Sequence, residues 1–219
     1  MVTAVIFDMD GVIIDSEPLH KQVVIDVLKE FGVHFSLKDV DRFVGNTNKT
    51  LWTTLKDEYD LDVSVSELGR RQHEKNMEEF QSCPNILISG IEDLLQSLHE
   101  SHHKTAIASS SNIEFIDEVV RKYRLEAFFN ETVSGQEVKN GKPAPDIFIE
   151  TAKRLGVAPD RCVVIEDSKN GVEAAKRAGM KVIGYLNPNS GNQDISRADT
   201  VVNSINLIDI ELMNSLMKA

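Results

Sequence analysis

The chain of 219 residues is long enough to bury a core without disulfide or metal staples, and 41% hydrophobic with 27% charged residues is an ordinary globular balance. This composition excludes collagen-like, coiled-coil and wholly disordered chains. The 35 acidic residues outnumber the 24 basic ones, and the resulting net charge of −11 disfavours nucleic acid and anionic membrane as partners.

The cysteine content and the absence of long apolar runs bear on the compartment. Cys83 and Cys162 are too few for a disulfide framework, so we expect reduced thiols. The N-terminus reaches Asp8 without a basic region, and no stretch approaches the ~20 apolar residues of a membrane span. We therefore expect a cytoplasmic protein that binds neither nucleic acid nor membrane, and we expect it to be a monomer.

The first predicted elements are one strand and a series of helices. Val2–Phe7 is nearly all apolar, as in a strand buried on both faces. A helix is predicted from Ser16, its N-cap, to Gly32, its stop. From there to about residue 81 only helical patterns occur, begun in turn by Ser36, by Thr47 and by a capping box at Ser64–Glu67.

After Pro84 helical and strand patterns alternate. Helices are predicted from Gly90 and over about 112–123, 145–155 and 170–178, with strands over 105–108, 131–134, 162–165 and 181–185. The tail adds a strand at 200–202 and a helix from about Leu207 to Leu216, and residues 187–193 are predicted to be a surface loop. Such alternation is typical of a parallel α/β sheet.

These patterns predict the fold class and the domain organisation together. We expect an α/β fold in which a Rossmann-like parallel sheet core carries an inserted all-helical domain. The core is placed at residues 1–15 and 87–219, and the helical insert at residues 16–86.

Four polar motifs follow predicted strands, at the edge where a doubly wound sheet places its active site. They are Asp8-Met9-Asp10-Gly11, Ser109-Ser110-Ser111-Asn112, Lys142 between Gly141 and Pro143, and Glu166-Asp167. Each motif alone has a plain structural interpretation, as a turn, a helix N-cap, a solvated lysine or the start of a helix.

Taken together, the motifs favour chemistry on a phosphate group. Asp8, Asp10, Glu166 and Asp167 would bring up to four negative charges into one crevice, with Lys142 as the cation. Such a cluster is unstable without a divalent metal. A site of carboxylates, Mg²⁺, one lysine and one hydroxyl is suited to phosphoryl transfer.

The ordered set FDMDGV, ASSS, KPAPDIF and VVIEDSKNG resembles the haloacid dehalogenase superfamily, in the branch that carries a helical cap between its first and second motifs. That branch includes β-phosphoglucomutase and many sugar-phosphate phosphatases. The resemblance covers essentially the whole chain, and the predicted helical insert falls where that branch carries its cap.

The resemblance implies a role for each core residue. Asp8 matches the nucleophile that forms an aspartyl-phosphate, and Asp10 matches the general acid and base. Ser109 and Lys142 match the groups that hold the phosphoryl oxygens. Mg²⁺ would be bound by Asp8, the Asp10 carbonyl and Asp167, with Glu166 as a further ligand or a support. Dehalogenases usually lack the second aspartate, so Asp10 favours phosphoryl transfer.

In this family the cap selects the substrate, so the resemblance also implies substrate-binding candidates. In the cap these are Ser16, His20, Asn46, Thr47, Asn48, Lys49 and Lys75. In the core they are Ser110, Ser111 and Asn112, whose hydroxyl and amide groups at a helix N-terminus suit a phosphate. Glu17, Arg70 and Arg71 are further candidates, although a solvated helix face is the favoured interpretation of the two arginines. Trp52 fits the core of the cap better than a stacking platform.

Several functions remain open, with other phosphotransfer or phosphonate chemistry among the minor ones. β-Phosphoglucomutase carries a cap-loop arginine where this sequence has Asn48 beside Lys49, and a threonine where it has Ser16; the missing guanidinium weakens the mutase alternative. We expect a Mg²⁺-dependent phosphatase of small phosphorylated metabolites, sugar phosphates above all. The alternatives are a mutase interconverting β-glucose 1-phosphate and glucose 6-phosphate, and a catalytically silent binding module.

Overall fold

The computed structural model describes residues 1–43 and 47–218. The chain divides into two compact units, one formed by Met1–Asp15 with Leu87–Ala219 and the other by Ser16–Ile86. Among the described residues, no helix has both the length and the apolar character needed to cross a membrane.

The first unit is built on a six-stranded sheet in which every neighbouring pair is parallel. Its strands are β1 Ala4–Phe7, β2 Lys104–Ser109, β3 Glu131–Ser134, β4 Cys162–Glu166, β5 Lys181–Tyr185 and β6 Thr200–Val202, in the spatial order β3-β2-β1-β4-β5-β6. The central strands β1 and β4 are wholly buried, and apart from Glu166 at the end of β4 their residues are apolar, as is typical of a parallel sheet covered on both faces.

The sheet register brings three strand ends to one level. Phe7 at the end of β1 is opposite Ile107 on one side and Ile165 on the other. The residues that follow, Asp8 after β1 and Ser109 and Glu166 at the ends of β2 and β4, therefore lie along one edge of the sheet.

The helices of this unit are α5 Ile91–Glu100, α6 Ile113–Lys122, α7 Asp146–Leu155, α8 Lys169–Arg177 and α9 Ile210–Leu216. Each buries an apolar stripe, which in α5 consists of Ile91, Leu94, Leu95 and Leu98. The predicted fold class, an α/β sheet core with an all-helical insert, is confirmed by this arrangement.

The second unit contains α1 Glu17–Glu30, α2 Leu37–Asp41, α3 Asn48–Glu58 and α4 Val65–Ser82. Its apolar core includes Val27, Leu55 and Leu68, and Trp52 lies in this core with its Nε1 donating to Gln72 Oε1 at 2.7 Å. The prediction that Trp52 belongs to the core of the helical segment is confirmed, because a buried indole with a satisfied N–H is not a surface platform.

Two local predictions are wrong. The last helix begins at Ile210 and not at Leu207, because the Leu212 N–H donates to Asp209 Oδ1 at 2.7 Å and makes Asp209 the N-cap. The segment 187–193 is not wholly a surface loop: Asn187 and Ser190 are buried, since both donate hydrogen bonds to groups at the end of the sheet.

Candidate active site

The loop after β1 carries the first buried carboxylate of the site. Asp8 is buried, and its N–H donates to Ile165 O at 3.0 Å, which continues the sheet pairing past the strand. Gly11 has a φ of +84°, and a Cβ at this position would lie 2.0 Å from Asp167 Oδ2. The backbone conformation and the close approach of Asp167 both require glycine here.

Lys142 is a buried cation that joins two strand ends. Its Nζ donates to Asp8 Oδ1 at 2.5 Å, to Glu166 Oε1 at 2.7 Å and to Ala108 O at 3.0 Å. Burial alone would lower the pKa of Lys142, but the negative charges of Asp8 and Glu166 outweigh it and the pKa is raised. The ammonium therefore stays charged, and Lys142 is not the solvated lysine that its local sequence allowed.

Glu166 is fixed through both of its carboxylate oxygens. One oxygen accepts from Lys142, and the other accepts from the N–H and the hydroxyl of Ser168, at 2.9 Å each. The next residue, Asp167, accepts a hydrogen bond from the hydroxyl of Ser190. Glu166 and Asp167 thus have different hydrogen-bond partners, although in the sequence they are simply two adjacent acids at the end of a strand.

The carboxylates of Asp8, Glu166 and Asp167 suit a hard divalent cation. All three are buried, and each offers an oxygen within 4.8 Å of the others. Burial raises the pKa of Asp8 to about 8 and that of Asp167 well above its usual range, although Lys142 acts against both shifts. With all three ionised, the cluster would hold more negative charge than Lys142 balances, so a cation is needed to keep it ionised, and its oxygen donors are those that Mg²⁺ prefers.

The serine-rich loop after β2 faces Asp10. The hydroxyls of Ser109 and Ser111 both donate to Asp10 Oδ2, at 3.2 Å and 2.7 Å, and the Ser111 N–H donates to Ser109 Oγ at 3.0 Å. Asn112 is the N-cap of α6, where its Oδ1 accepts from the Phe115 N–H at 3.3 Å, and Ser110 is exposed. The predicted residues of this loop therefore divide into two that hold Asp10, one helix cap and one exposed hydroxyl.

Several substrate-binding candidates of the helical unit hydrogen-bond within that unit. His20 Nδ1 lies 3.1 Å from Asn76 Oδ1, and Asn48 Oδ1 accepts from Gln72 Nε2 at 3.4 Å. Thr47 is the N-cap of α3, Lys49 is exposed and Ser16 is buried at the N-cap of α1. Asn46 lies outside the described residues.

The basic candidates of α4 are engaged in ion pairs. Lys75 pairs with Glu30 at 3.0 Å, and Arg71 pairs with Glu30 at 2.7 Å and with Glu67 at 2.9 Å. Arg70 pairs with Glu67 and Glu74. These contacts support the interpretation of the arginines as a helix face with paired charges.

Three residues of the loop after β5 belong to the site although the sequence did not predict them there. The side-chain amide of Asn187 donates to Gly11 O at 2.9 Å, that of Asn189 donates to Asp15 Oδ2 at 2.6 Å, and Ser190 binds Asp167. Their position after a parallel strand was the available signal, because strand ends of one sheet share an edge.

The close packing of Gly171 against Glu166 gives a testable prediction. A Cβ at Gly171 would lie 1.6 Å from Glu166 Oε1, and Glu166 cannot move without leaving Lys142 and Ser168. We expect Gly171→Ala to lower the free energy of unfolding by ~1–3 kcal/mol, as overpacking does, and to reduce catalytic activity.

The matched control is Gly69→Ala, another glycine within a helix, where a Cβ would meet nothing within 4 Å. We expect it to raise stability by ~0.5–1 kcal/mol, because alanine restricts the unfolded chain and favours the helix. Urea unfolding of both variants provides the measurement, and equal effects of the two substitutions would contradict the close packing at Gly171.

Comparison with known proteins places the chain in one family. Residues 5–185 match the family described as haloacid dehalogenase-like hydrolase. A "probable pseudouridine-5'-phosphatase" of Drosophila melanogaster is 34% identical over 210 residues, which cover 93% of this chain and 90% of that protein. A "phosphorylated carbohydrates phosphatase" of Thermotoga maritima is 35% identical over 180 residues, covering 82% of this chain and 83% of that protein.

A solved structure shares the fold at lower identity. The crystal structure of β-phosphoglucomutase from Clostridium difficile superposes with a TM-score of 0.85 and 24% identity, covering 100% of this chain and 98% of that one. At that identity the likeness concerns the fold alone.

Proposed function

Because the chain belongs to the haloacid dehalogenase-like hydrolases and is a hydrolytic enzyme of the phosphatase type, we propose that it hydrolyses sugar phosphates with Mg²⁺ through an aspartyl-phosphate on Asp8. The observation that carries this proposal is the buried contact of Lys142 with both Asp8 and Glu166. This contact orients the Asp8 carboxylate beside the Lys142 ammonium at the end of the sheet. A carboxylate that attacks a negatively charged phosphate ester needs such a cation beside it.

In the first step a carboxylate oxygen of Asp8 attacks phosphorus, a bond from oxygen to phosphorus forms, and the bond to the ester oxygen breaks. Asp10 donates a proton to the departing oxygen, so that an alcohol leaves instead of an alkoxide. The hydroxyls of Ser109 and Ser111 hold the Asp10 carboxyl at the same strand ends as Asp8.

In the second step a water molecule attacks phosphorus while Asp10, now ionised, takes its proton. The bond from phosphorus to the Asp8 oxygen breaks, inorganic phosphate leaves, and both aspartates return to their starting states. Lys142 offsets the negative charge beside Asp8 throughout. Mg²⁺, held by Asp8, the Asp10 carbonyl and Asp167 with Glu166 beside them, would supply further charge neutralisation at the phosphoryl oxygens.

Two observations support hydrolysis over the mutase alternative. Lys75 and Arg71, which could otherwise clamp a second phosphate, are paired with Glu30. The amides of Asn48, Gln72 and Asn76 hydrogen-bond within the helical unit and carry no charge that could bind a second phosphate. The two relatives, a phosphorylated carbohydrates phosphatase and a probable pseudouridine-5'-phosphatase, are both named as phosphatases.

The thiols of Cys83 and Cys162, whose Sγ atoms donate to Phe80 O and Ala158 O, support the further proposal of a reducing, cytoplasmic location. We also propose that the protein is a monomer and that its only partner is a small phosphorylated metabolite.

We expect hexose phosphates to yield inorganic phosphate in the presence of Mg²⁺, with the activity lost on addition of EDTA. We also expect no efficient conversion of β-glucose 1-phosphate to glucose 6-phosphate, even with glucose 1,6-bisphosphate added, because Asn48 cannot provide the bidentate clamp of an arginine. A phosphate-release assay run beside a coupled glucose 6-phosphate assay makes the comparison.

Asn48→Arg is the variant that tests the reason for this result. If the guanidinium is what a mutase needs, the variant should retain more of a bisphosphate and release phosphate more slowly. Isomerisation much faster than phosphate release by the unmodified enzyme would make it a mutase, and no turnover of any phosphate ester would support a silent binding module.

A further inference from the structure

The loop after β5 forms a strap across the two acidic loops of the site. Asn187, at its start, donates to Gly11 O at 2.9 Å and accepts from the Asn189 N–H at 2.8 Å through its own Oδ1. Asn189 in turn donates to Asp15 Oδ2 at 2.6 Å. The strap, residues 187–190, is therefore tied to the chain segment that follows β1.

The strap ends in a buried hydroxyl that touches Asp167. Ser190 is 4% exposed and Asp167 is 5% exposed, and Ser190 Oγ donates to Asp167 Oδ2. The same carboxylate oxygen lies against Gly11, where a Cβ would come within 2.0 Å of it. One oxygen of Asp167 is thus held between the glycine of the β1 loop and the hydroxyl of the strap.

We propose that Ser190 is a positioning residue that orients the Asp167 carboxylate for divalent-metal binding, an inference that rests on the proposed Mg²⁺-dependent function. A carboxylate whose side chain rotates freely would lose conformational entropy when a metal binds, and this loss would weaken binding. A hydrogen bond from a hydroxyl already fixed by its own loop removes that freedom beforehand. Asn187 and Asn189 fix the loop and Ser190 transmits its position to Asp167.

The test compares two serine-to-alanine variants, each of which removes a hydroxyl that donates to an aspartate. Ser190→Ala removes the buried contact with Asp167. The matched control Ser196→Ala removes the exposed contact of Ser196 Oγ with Asp194 Oδ1 at 2.7 Å, in the same stretch of chain. Manganese ion serves as the probe, with free Mn²⁺ counted by electron paramagnetic resonance in the absence of substrate.

We expect Ser190→Ala to raise the dissociation constant for Mn²⁺ by ~10-fold or more. Losing a group that hydrogen-bonds to a metal ligand usually has an effect of this size. Ser196→Ala should stay within about twofold of the unmodified protein, because an exposed hydroxyl outside the site does not affect the metal. In turnover, the Mg²⁺ concentration needed for half activation should rise in Ser190→Ala, while kcat at saturating Mg²⁺ changes far less.

Two further variants separate the hydrogen bond from simple packing. Ser190→Thr keeps the hydroxyl and should bind Mn²⁺ within about threefold of the unmodified protein; a threonine variant as weak as the alanine variant would overturn the inference. If Ser190→Ala fails to fold, Ser190→Cys replaces it, because a thiol has a similar size but is a weak donor.

The outcomes distinguish failure of the inference from failure of the function. Unmodified protein that binds Mn²⁺, with Ser190→Ala binding equally tightly, overturns the role of Ser190 alone. Unmodified protein that binds no Mn²⁺ and hydrolyses phosphate esters in EDTA overturns the metal-dependent function and the role of Ser190 with it.

Discussion

Asp8→Asn is expected to abolish turnover while the fold survives. The amide is nearly the same size as the carboxylate and keeps an oxygen that accepts from Lys142 Nζ, but it cannot attack phosphorus as an anion. Removing a covalent nucleophile costs on the order of 10⁶-fold in rate in well-studied enzymes, so activity should fall below detection. Release of p-nitrophenolate from p-nitrophenyl phosphate provides the measurement.

The fold of Asp8→Asn is checked by thermal unfolding in EDTA, where the loss of one of three neighbouring buried carboxylates should cause no destabilisation. Asp194→Asn, an exposed aspartate whose side chain contacts only its own loop partner Ser196 among the contacts described, is the matched control and should retain full activity. Turnover near that of the unmodified enzyme, with the substitution confirmed by mass, would exclude Asp8 as the nucleophile.

Asp10→Asn is expected to slow hydrolysis of an alkyl phosphate by ~10²–10⁴-fold, the usual contribution of general acid and base catalysis. The asparagine still accepts from the hydroxyls of Ser109 and Ser111, so the loop after β2 should keep its position. What the variant loses is the negative charge of Asp10 and the ability to give a proton to the leaving group or take one from water.

A change of leaving group separates the role of Asp10 as general acid from its role as general base. p-Nitrophenolate leaves without protonation, so the variant should still form the aspartyl-phosphate from the aryl ester. Hydrolysis of the aspartyl-phosphate should then limit the rate, because no base activates the attacking water. We expect a burst of p-nitrophenolate close to one equivalent, and a loss well under tenfold on an alkyl phosphate would give Asp10 a lesser role.

Local patterns were sufficient for the fold and for the family. Strands β3, β5 and β6 have the bounds that the sequence predicted, and the others differ by one or two residues. Three of the motifs that resemble the haloacid dehalogenase superfamily lie at the ends of β1, β2 and β4, the fourth leads into α7, and the match to that family confirms the resemblance. Side-chain periodicity and capping are properties of neighbouring residues, so they can be read without the tertiary structure.

Contacts between distant segments could not be read in the same way. Lys142 and Asp8 are 134 residues apart in the chain, and Ser190 and Asp167 are 23 apart. The composition of residues 187–193 is that of a turn whether the loop is exposed or buried, so the sequence predicted a surface loop. Only the folded sheet edge reveals that Asn187 and Ser190 reach the acidic site.

The sequence by itself therefore determined the α/β architecture, the helical insert and, through the order of its charged strand-end motifs, the family, because each is carried by short-range patterns. The tertiary structure alone decided the partners of those charged groups. Lys142 is shared by Asp8 and Glu166, and Lys75 is paired with Glu30. The physical reason is that the state of a charge depends on its burial and on the groups around it, which folding brings together from remote positions.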